Sequence, residues 1–379
     1  MYKKTILVLT SGGLTSALNP TLYGVIKMAK KCNYKILGGI GGWNSLLENN
    51  KIIDLTKIDI DQLKNRGGTI LKTSRTNPFK IKDGIKKVKK SISNNKIDCI
   101  IAIGGDDTLS TAAKLYHEED IPVIGLPKTI DNDLPHTYFS PGFPSAAHYT
   151  AKLIDEVRED AAYAYGRVFI IEVMGAKSGW LTCSSAVGGA DIIIPPEWQF
   201  DLKKLLNLIK KKYKKNGYCV IAMSKEANIK GLKGLSDKQT DGFNTKRKEF
   251  IGLSLQNQIE KKLGYNTKTI VPMNSLQTGP PIETDKQIGI KVGEMGIKLV
   301  SKDKIGQAVV IECKKNKFVT NHIDLNNFFD KPKKMDASYF DKRLMWPSKK
   351  YMKYISKILN SKDFNNKKYQ KLQMKILGK

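Results

Sequence analysis

Two short motifs hold most of the chemistry in this chain: Gly104-Gly-Asp-Asp-Thr108 and Pro127-Lys-Thr-Ile-Asp-Asn-Asp133. Glycines let backbone N–H groups approach a phosphate closely. Aspartates can hold a divalent cation or accept a proton. A single Asp in a loop reads most simply as a solvated carboxylate, and Asp107 alone reads equally well as an acid in the first turn of a helix. Four aspartates (Asp106, Asp107, Asp131 and Asp133) in two glycine- or lysine-bearing loops point instead to phosphoryl transfer.

The flanking residues say how such loops would be positioned. Each motif follows a β-branched apolar run, 99–103 before the first and 121–126 before the second, which places both at the carboxyl ends of strands. Open α/β sheets bind ligands at that edge. Strands are expected over 5–10, 34–38, 97–103, 122–126, 167–173, 190–194, 218–223, 269–271 and 307–312. Between them apolar residues recur at helical spacing, most clearly Ala146, Tyr149, Thr150, Leu153, Ile154 and Val157. Asn19-Pro20 predicts a helix start with Asn at the cap and Pro in the first turn. Strands alternating with helices imply parallel sheets with right-handed crossovers. The segment 228–244, rich in Gly, Lys and Asp, reads as a mobile excursion, and no internal repeat of fixed period is present.

Composition narrows the function classes. The net charge is +29, and 59 of the 65 basic residues are lysine. Lys, Asn and Ile in excess are the usual imprint of an AT-rich genome, while a basic field also favours a polyanionic small substrate. Lysine spread evenly along the chain, with scarce arginine and no aromatic-interleaved basic stretch, argues against nucleic acid as a partner. Five cysteines without a Cys-x-x-Cys pair imply neither a disulfide framework nor zinc. No apolar run approaches the roughly 20 residues of a membrane span. The amino-terminal apolar run breaks at Gly12-Gly13 and reads as a first strand, so the expected location is cytoplasmic, with no membrane partner.

Taken in order, the motifs resemble those of the phosphofructokinases, in particular the pyrophosphate-dependent branch. The matching pieces are Leu9-Thr-Ser-Gly-Gly13, Gly67-Gly68 followed by Arg75, the two motifs above, Arg167, Glu172-Val-Met-Gly175 and Ser178-Gly-Trp-Leu-Thr182. The resemblance implies two similar three-layer α/β domains with mainly parallel sheets and an active site in the cleft between them. It further implies a homodimer or homotetramer with shared active sites. The donor domain would comprise 1–139 with about 284–303, the acceptor domain 140–283 with about 304–350, and 351–379 a basic extension.

The resemblance also implies roles. ATP-using relatives carry Gly where this chain has Asp107, and Gly again at Lys128. An acid at Asp107 would repel a nucleotide's α-phosphate, while Lys128 supplies a point charge for pyrophosphate. Asp131 would be the general base and Asp133 its helper. Asp106 would hold Mg2+, Gly12, Gly105 and Arg75 the donor, and Thr129 and Ile130 would help place the acceptor.

The acceptor side departs from the family pattern. Arginine is expected after Met174-Gly175, and Ala176 stands there instead, followed by Lys177. The Ser-Glu-Gly motif becomes Ser224-Lys225-Glu226, and the Gly-Tyr-x-x-Arg segment becomes Asn274-Ser275-Leu276-Gln277-Thr278. Charge-assisted contacts of this kind contribute roughly 1.5–3 kcal/mol each. Arg167, Lys177, Lys225 and Lys268 are the cations available to replace them. The acceptor the resemblance implies is fructose 6-phosphate; the altered residues make another sugar phosphate such as sedoheptulose 7-phosphate, an unphosphorylated sugar, a polyol or a nucleoside the alternative expectation. A non-catalytic regulatory subunit is the third reading, which intact Asp106, Lys128 and Asp131 oppose.

Overall fold

The computed structural model describes residues 2–47, 51–175, 177–232, 235–240, 246–329, 332–360, 364 and 375–376. The strands of the two main sheets are β1 (Thr5–Thr10), β2 (Lys35–Gly39), β3 (Ile52–Asp54), β4 (Cys99–Gly104), β5 (Val123–Pro127), β6 (Val168–Val173), β7 (Ile192–Ile194), β8 (Cys219–Ser224), β9 (Thr267–Ile270), β10 (Gln307–Lys314) and β11 (Lys317–Asp324). The principal helices are α1 (Leu18–Lys31), α2 (Gly84–Asn95), α3 (Asp106–His117), α4 (Phe143–Glu159), α5 (Trp180–Ser184), α6 (Leu202–Asn216), α7 (Ile251–Leu263) and α8 (Glu283–Ser301). The chain forms two compact units: Met1–Ala146 with Gln277–Lys333, and Ala147–Leu276 with Lys334–Lys379.

The first unit is built on a seven-stranded sheet in the order β11-β10-β5-β4-β1-β2-β3. Its inner strands are parallel, and only β3 and β11 at the two edges run antiparallel to their neighbours. β4 and β5 are buried along their whole lengths, as befits strands covered on both faces. Register matters most for the site: Thr10 lies opposite Ile103, and Gly104 opposite Pro127. The loops after β1, β4 and β5 therefore leave the sheet side by side.

α1 packs against α8 on glycine. A Cβ at Gly24 would stand 2.2 Å from the Ile290 carbonyl oxygen, and one at Gly293 2.2 Å from the Thr21 carbonyl oxygen. Neither backbone can yield that much room. Leu7, Leu9, Ile100, Ala102, Leu109, Val123, Ala308, Val310 and Phe328 belong to one buried core cluster.

The second unit holds a four-stranded parallel sheet in the order β9-β6-β8-β7. Val173 lies opposite Ser224, so the loops after β6 and β8 also emerge together. Carboxylates anchor several helix starts here. Glu172 accepts from Gly252 N at 2.9 Å beside the start of α7, and Glu197 accepts from Gly179 N at 2.7 Å beside α5. Asp201 caps α6 by accepting from Lys204 N at 2.9 Å. Burial raises the pKa of Glu172 and Glu197, and these N–H donors oppose that rise.

The structure departs from the sequence expectations in several places. α1 starts one residue before Asn19, with Ala17 at the cap. Asn19 instead donates to Gly67 O and accepts from Ile70 N, tying the 67–70 loop to the helix. β3 and β11 were not anticipated as strands. Residues 307–324, grouped by sequence with the acceptor domain, extend the first unit's sheet, because β10 lies beside β5 with Ala308 opposite Gly125. The described part of 228–244 contains the strands Asn228–Lys230 and Leu235–Thr240. Among the described residues, no helix is long and apolar enough to cross a membrane.

Candidate active site

Three loops of the first unit meet at the carboxyl edge of its sheet. After β1 the chain turns at Gly12 with φ +81°, a conformation that favours glycine. Gly12 N donates to Ser74 O at 3.0 Å, and Ser11 Oγ donates to the same carbonyl at 2.9 Å. These bonds bring the segment bearing exposed Arg75 to the β1 loop. After β4, Gly104 is required because a Cβ there would fall 2.3 Å from the Thr108 side chain. Gly105 then caps α3, whose first turn carries half-buried Asp106 and exposed Asp107. Thr108 N and Leu109 N both donate to Gly105 O, so the helix starts at once and aims its positive end at this edge.

Lys128 lies among these loops. It is only 3% exposed, and its Nζ donates to Gly13 O. A Cβ on Gly12 would stand 3.5 Å from that nitrogen and 3.9 Å from Thr108 Oγ1. Burial lowers its pKa to about 8; Asp131 and Asp133 counter this, whereas Arg75 adds to it. The ammonium is therefore mostly charged at neutral pH yet poorly solvated, a state that a bound polyanion would relieve.

The segment after β5 holds the candidate base. Asp131 is half-buried, and its N–H donates to Thr129 Oγ1 at 3.1 Å. Ile130 is buried and Asp133 is 8% exposed. Asn132 adopts φ +55° and accepts from Ser140 N through Oδ1 at 3.1 Å. Asp133 O accepts from Lys333 N at 2.7 Å, while Lys333 Nζ donates to Thr137 O at 3.0 Å. Asn132 lies within the 127–133 motif, whereas Lys333 had no sequence signal beyond its type; both bond backbone of this region. For a metal, Asp106 is the carboxylate at hand. One carboxylate plus substrate oxygens is how Mg2+ is commonly held, so the donor set fits that ion.

The acceptor candidates fall into separate groups. Met174 and Gly175 after β6 stand beside Lys225 and Glu226 after β8. Ser224 Oγ donates to Gly175 O at 2.7 Å and accepts from Glu226 N at 3.1 Å. Ala176 lies outside the described residues. Arg167 precedes β6 and Lys268 lies near the amino end of β9, opposite Phe169. At about 3.3 Å per residue, β6 carries the chain roughly 20 Å between Arg167 and Met174. A single protomer therefore does not bring Arg167 to the Lys225–Glu226 edge. Arg167 Nε lies 3.4 Å from Asp160 Oδ1, and its guanidinium lies over the Tyr165 ring at 4.3 Å. Ser275 and Thr278 bound a single exposed turn, with Ser275 Oγ donating to Pro272 O at 2.6 Å.

Comparison with known proteins gives the family. The phosphofructokinase family model matches residues 5–300. A protein from Dictyoglomus thermophilum named pyrophosphate–fructose 6-phosphate 1-phosphotransferase is 33% identical over 346 residues, covering 90% of this chain and 98% of its own. An ATP-dependent 6-phosphofructokinase from Corynebacterium efficiens is 31% identical over 319 residues, covering 83% and 92%. Among solved structures, a pyrophosphate-dependent phosphofructokinase from Marinobacter aquaeolei superposes with a TM-score of 0.84 at 23% identity, covering 94% of this chain and 91% of that one.

Proposed function

The chain belongs to the phosphofructokinase family, and on that premise we propose that it moves a phosphoryl group reversibly from pyrophosphate to the 1-hydroxyl of fructose 6-phosphate. The products are fructose 1,6-bisphosphate and phosphate. The observation that carries the donor choice is Lys128, buried against Gly12 and Gly13 beside α3, with Asp107 in that helix's first turn. Relatives named for pyrophosphate and for ATP lie at 33% and 31% identity, so overall similarity does not separate the donors. Asp107 and Lys128 supply the physical distinction: the acid disfavours a nucleotide's additional phosphate, and the cation compensates the compact charge of pyrophosphate.

In this reading Asp131 accepts the proton of the attacking hydroxyl as its oxygen forms a bond to phosphorus. The bridging P–O bond breaks, and phosphate leaves. Asp133 assists Asp131, and the Thr129 hydroxyl orients it by accepting from its N–H. Lys128 balances charge on the transferring group, while Arg75 and the Gly12 and Gly105 backbone hold the donor. Asp106 would hold Mg2+, which when bound neutralises pyrophosphate oxygens. For the acceptor, this reading gives roles to Thr129, Ile130 and Thr278 in the first unit and, separately, to Met174, Gly175, Ala176, Lys225, Glu226 and Ser275 in the second. Arg167 and Lys268 serve a neighbouring protomer's site within a homodimer or homotetramer. The cytoplasm is the compartment this reading assigns.

A second reading keeps the chemistry and changes the acceptor, because Ser275 and Thr278 place uncharged side chains where the family pattern has an aromatic and an arginine. The deciding experiment follows phosphate release by purified protein with Mg2+ and pyrophosphate, and with ATP in parallel, against a panel of acceptors led by fructose 6-phosphate. Turnover of fructose 6-phosphate with pyrophosphate alone supports the first reading. Silence on that sugar, with turnover of another acceptor, supports the second. Silence on the whole panel removes both.

A further inference from the structure

Two helix starts in the first unit cap one another. Asp285, the third residue of α8, is fully buried and accepts from Gly142 N and Ser145 N, each at 2.8 Å. These are the N–H groups at the beginning of α4. In return, Ser145 Oγ accepts from Ile282 N, at the cap of α8, at 3.1 Å. A capping box normally closes within one helix; here it is shared between two.

The contact reaches the candidate base through one strip of backbone. Thr129 N donates to Pro141 O at 3.1 Å, and Thr129 forms an isolated bridge with Gly142. Ser140 N donates to Asn132 Oδ1 at 3.1 Å. Residues 140–142 are thus strapped to 129–132, and Asp285 fixes the far end of the strap. Gly142 has φ +105°, and a Cβ there would lie 2.7 Å from the Thr15 side chain. The strap therefore has no room to move toward the β1 loop. Burial raises the Asp285 carboxyl to about 6, against the pull of its donors Gly142 and Ser145. Such a group costs stability to keep ionised, and its charge-assisted bonds give geometric fixity in return.

We propose that Asp285 is a positioning residue for the phosphoryl-transfer loop 127–133, acting through Gly142 and Thr129. This rests on the assignment of that loop to the reaction proposed above. The test compares the parent with Asp285→Asn and Ser145→Ala by amide hydrogen exchange, pyrophosphate calorimetry and steady-state kinetics. In Asp285→Asn, exchange in peptides covering 127–142 rises by about tenfold or more, while peptides covering β1 and β4 keep the parent rate. Pyrophosphate affinity and stoichiometry stay within about threefold, and kcat falls by about 10- to 100-fold. Ser145→Ala removes the cap on α8 and the hydroxyl's own bond to Asp285 but keeps both backbone donors, and leaves loop exchange near the parent value.

Unchanged exchange over 127–142 would overturn the proposal. So would a uniform rise across the unit with falling stoichiometry, which marks a general loss of stability. Asp285→Ser, smaller and neutral, repeats the measurement if the amide variant does not fold. The exchange arm needs no turnover. A parent protein inactive on every acceptor would refute the proposed reaction, while the exchange data would still decide whether Asp285 holds this loop.

Discussion

Replacing Lys128 with methionine should abolish phosphoryl transfer and make the protein more stable. The structure gives both the sign and the size. Burial takes the ammonium from 10.5 to about 8, and at about 1.36 kcal/mol per pH unit its charged state costs the native fold on the order of 3 kcal/mol at neutral pH. Methionine fills nearly the same volume without that cost but leaves Gly13 O without its bond to Nζ, a loss of about 1–2 kcal/mol. The net gain is about 1–2 kcal/mol, or roughly 2–8 °C in the melting temperature of a unit this size. The pH dependence is sharper still. Native Lys128 releases its proton near pH 8, whereas the unfolded chain holds it to about 10.5, so the parent regains stability as pH rises through that window. The advantage of Lys128→Met should shrink between pH 7 and 10. Lys333, also lowered to about 8 by burial, titrates in both proteins and cancels in the comparison. Scanning calorimetry across that range is the assay, with transfer rates measured alongside. A variant less stable than the parent at pH 7, or a difference independent of pH, would refute the picture of a strained, desolvated cation.

Other expectations follow from the same geometry. Asp131→Asn should lower kcat by about 10²- to 10⁴-fold while calorimetry shows pyrophosphate binding little changed, since the amide keeps the shape and loses the base. Asp107→Gly should raise the ratio of ATP to pyrophosphate kcat/KM by about tenfold or more, because the repelling charge in the first turn of α3 is gone. Gly24→Ala should destabilise the first unit by about 1–3 kcal/mol in denaturant titration, as its methyl would meet the Ile290 carbonyl at 2.2 Å.

Contiguous motifs made the loops at the first unit's sheet edge legible from sequence. Gly12, Gly105, Asp106, Asp107, Lys128 and Asp131 sit directly after strands whose apolar runs announce them, and parallel register does the rest. β11 was hidden for a specific reason. It returns through Lys315 and Asn316, both at positive φ, between paired Lys314 and Lys317. Those are the dihedral signs of a tight hairpin turn, but they occur without the glycine that usually signals one. Asn19 misled because Asn before Pro is a common cap, whereas tertiary bonds to Gly67 and Ile70 recruited its side chain. Asp285 was invisible because an acid in the first turn of a helix is ordinary; its partners lie about 140 residues away in sequence. Arg167 was placed with the acceptor group by motif alone, and the length of β6 separates them within one chain.

The first unit is assembled from two stretches of chain separated by most of the second: Met1–Ala146 supplies α1 and β1–β5, and Gln277–Lys333 supplies α8, β10 and β11. On the ribosome the glycine seat on α1 thus waits for its partner helix. At about 5–20 residues per second, the intervening stretch takes roughly 7–30 s to synthesise. During that interval β5 has an open edge where β10 will pair, and Gly24 faces no Ile290. The inserted segment can begin to fold before its host is complete, and a nascent chain halted in this interval should expose β5 and α1 to protease.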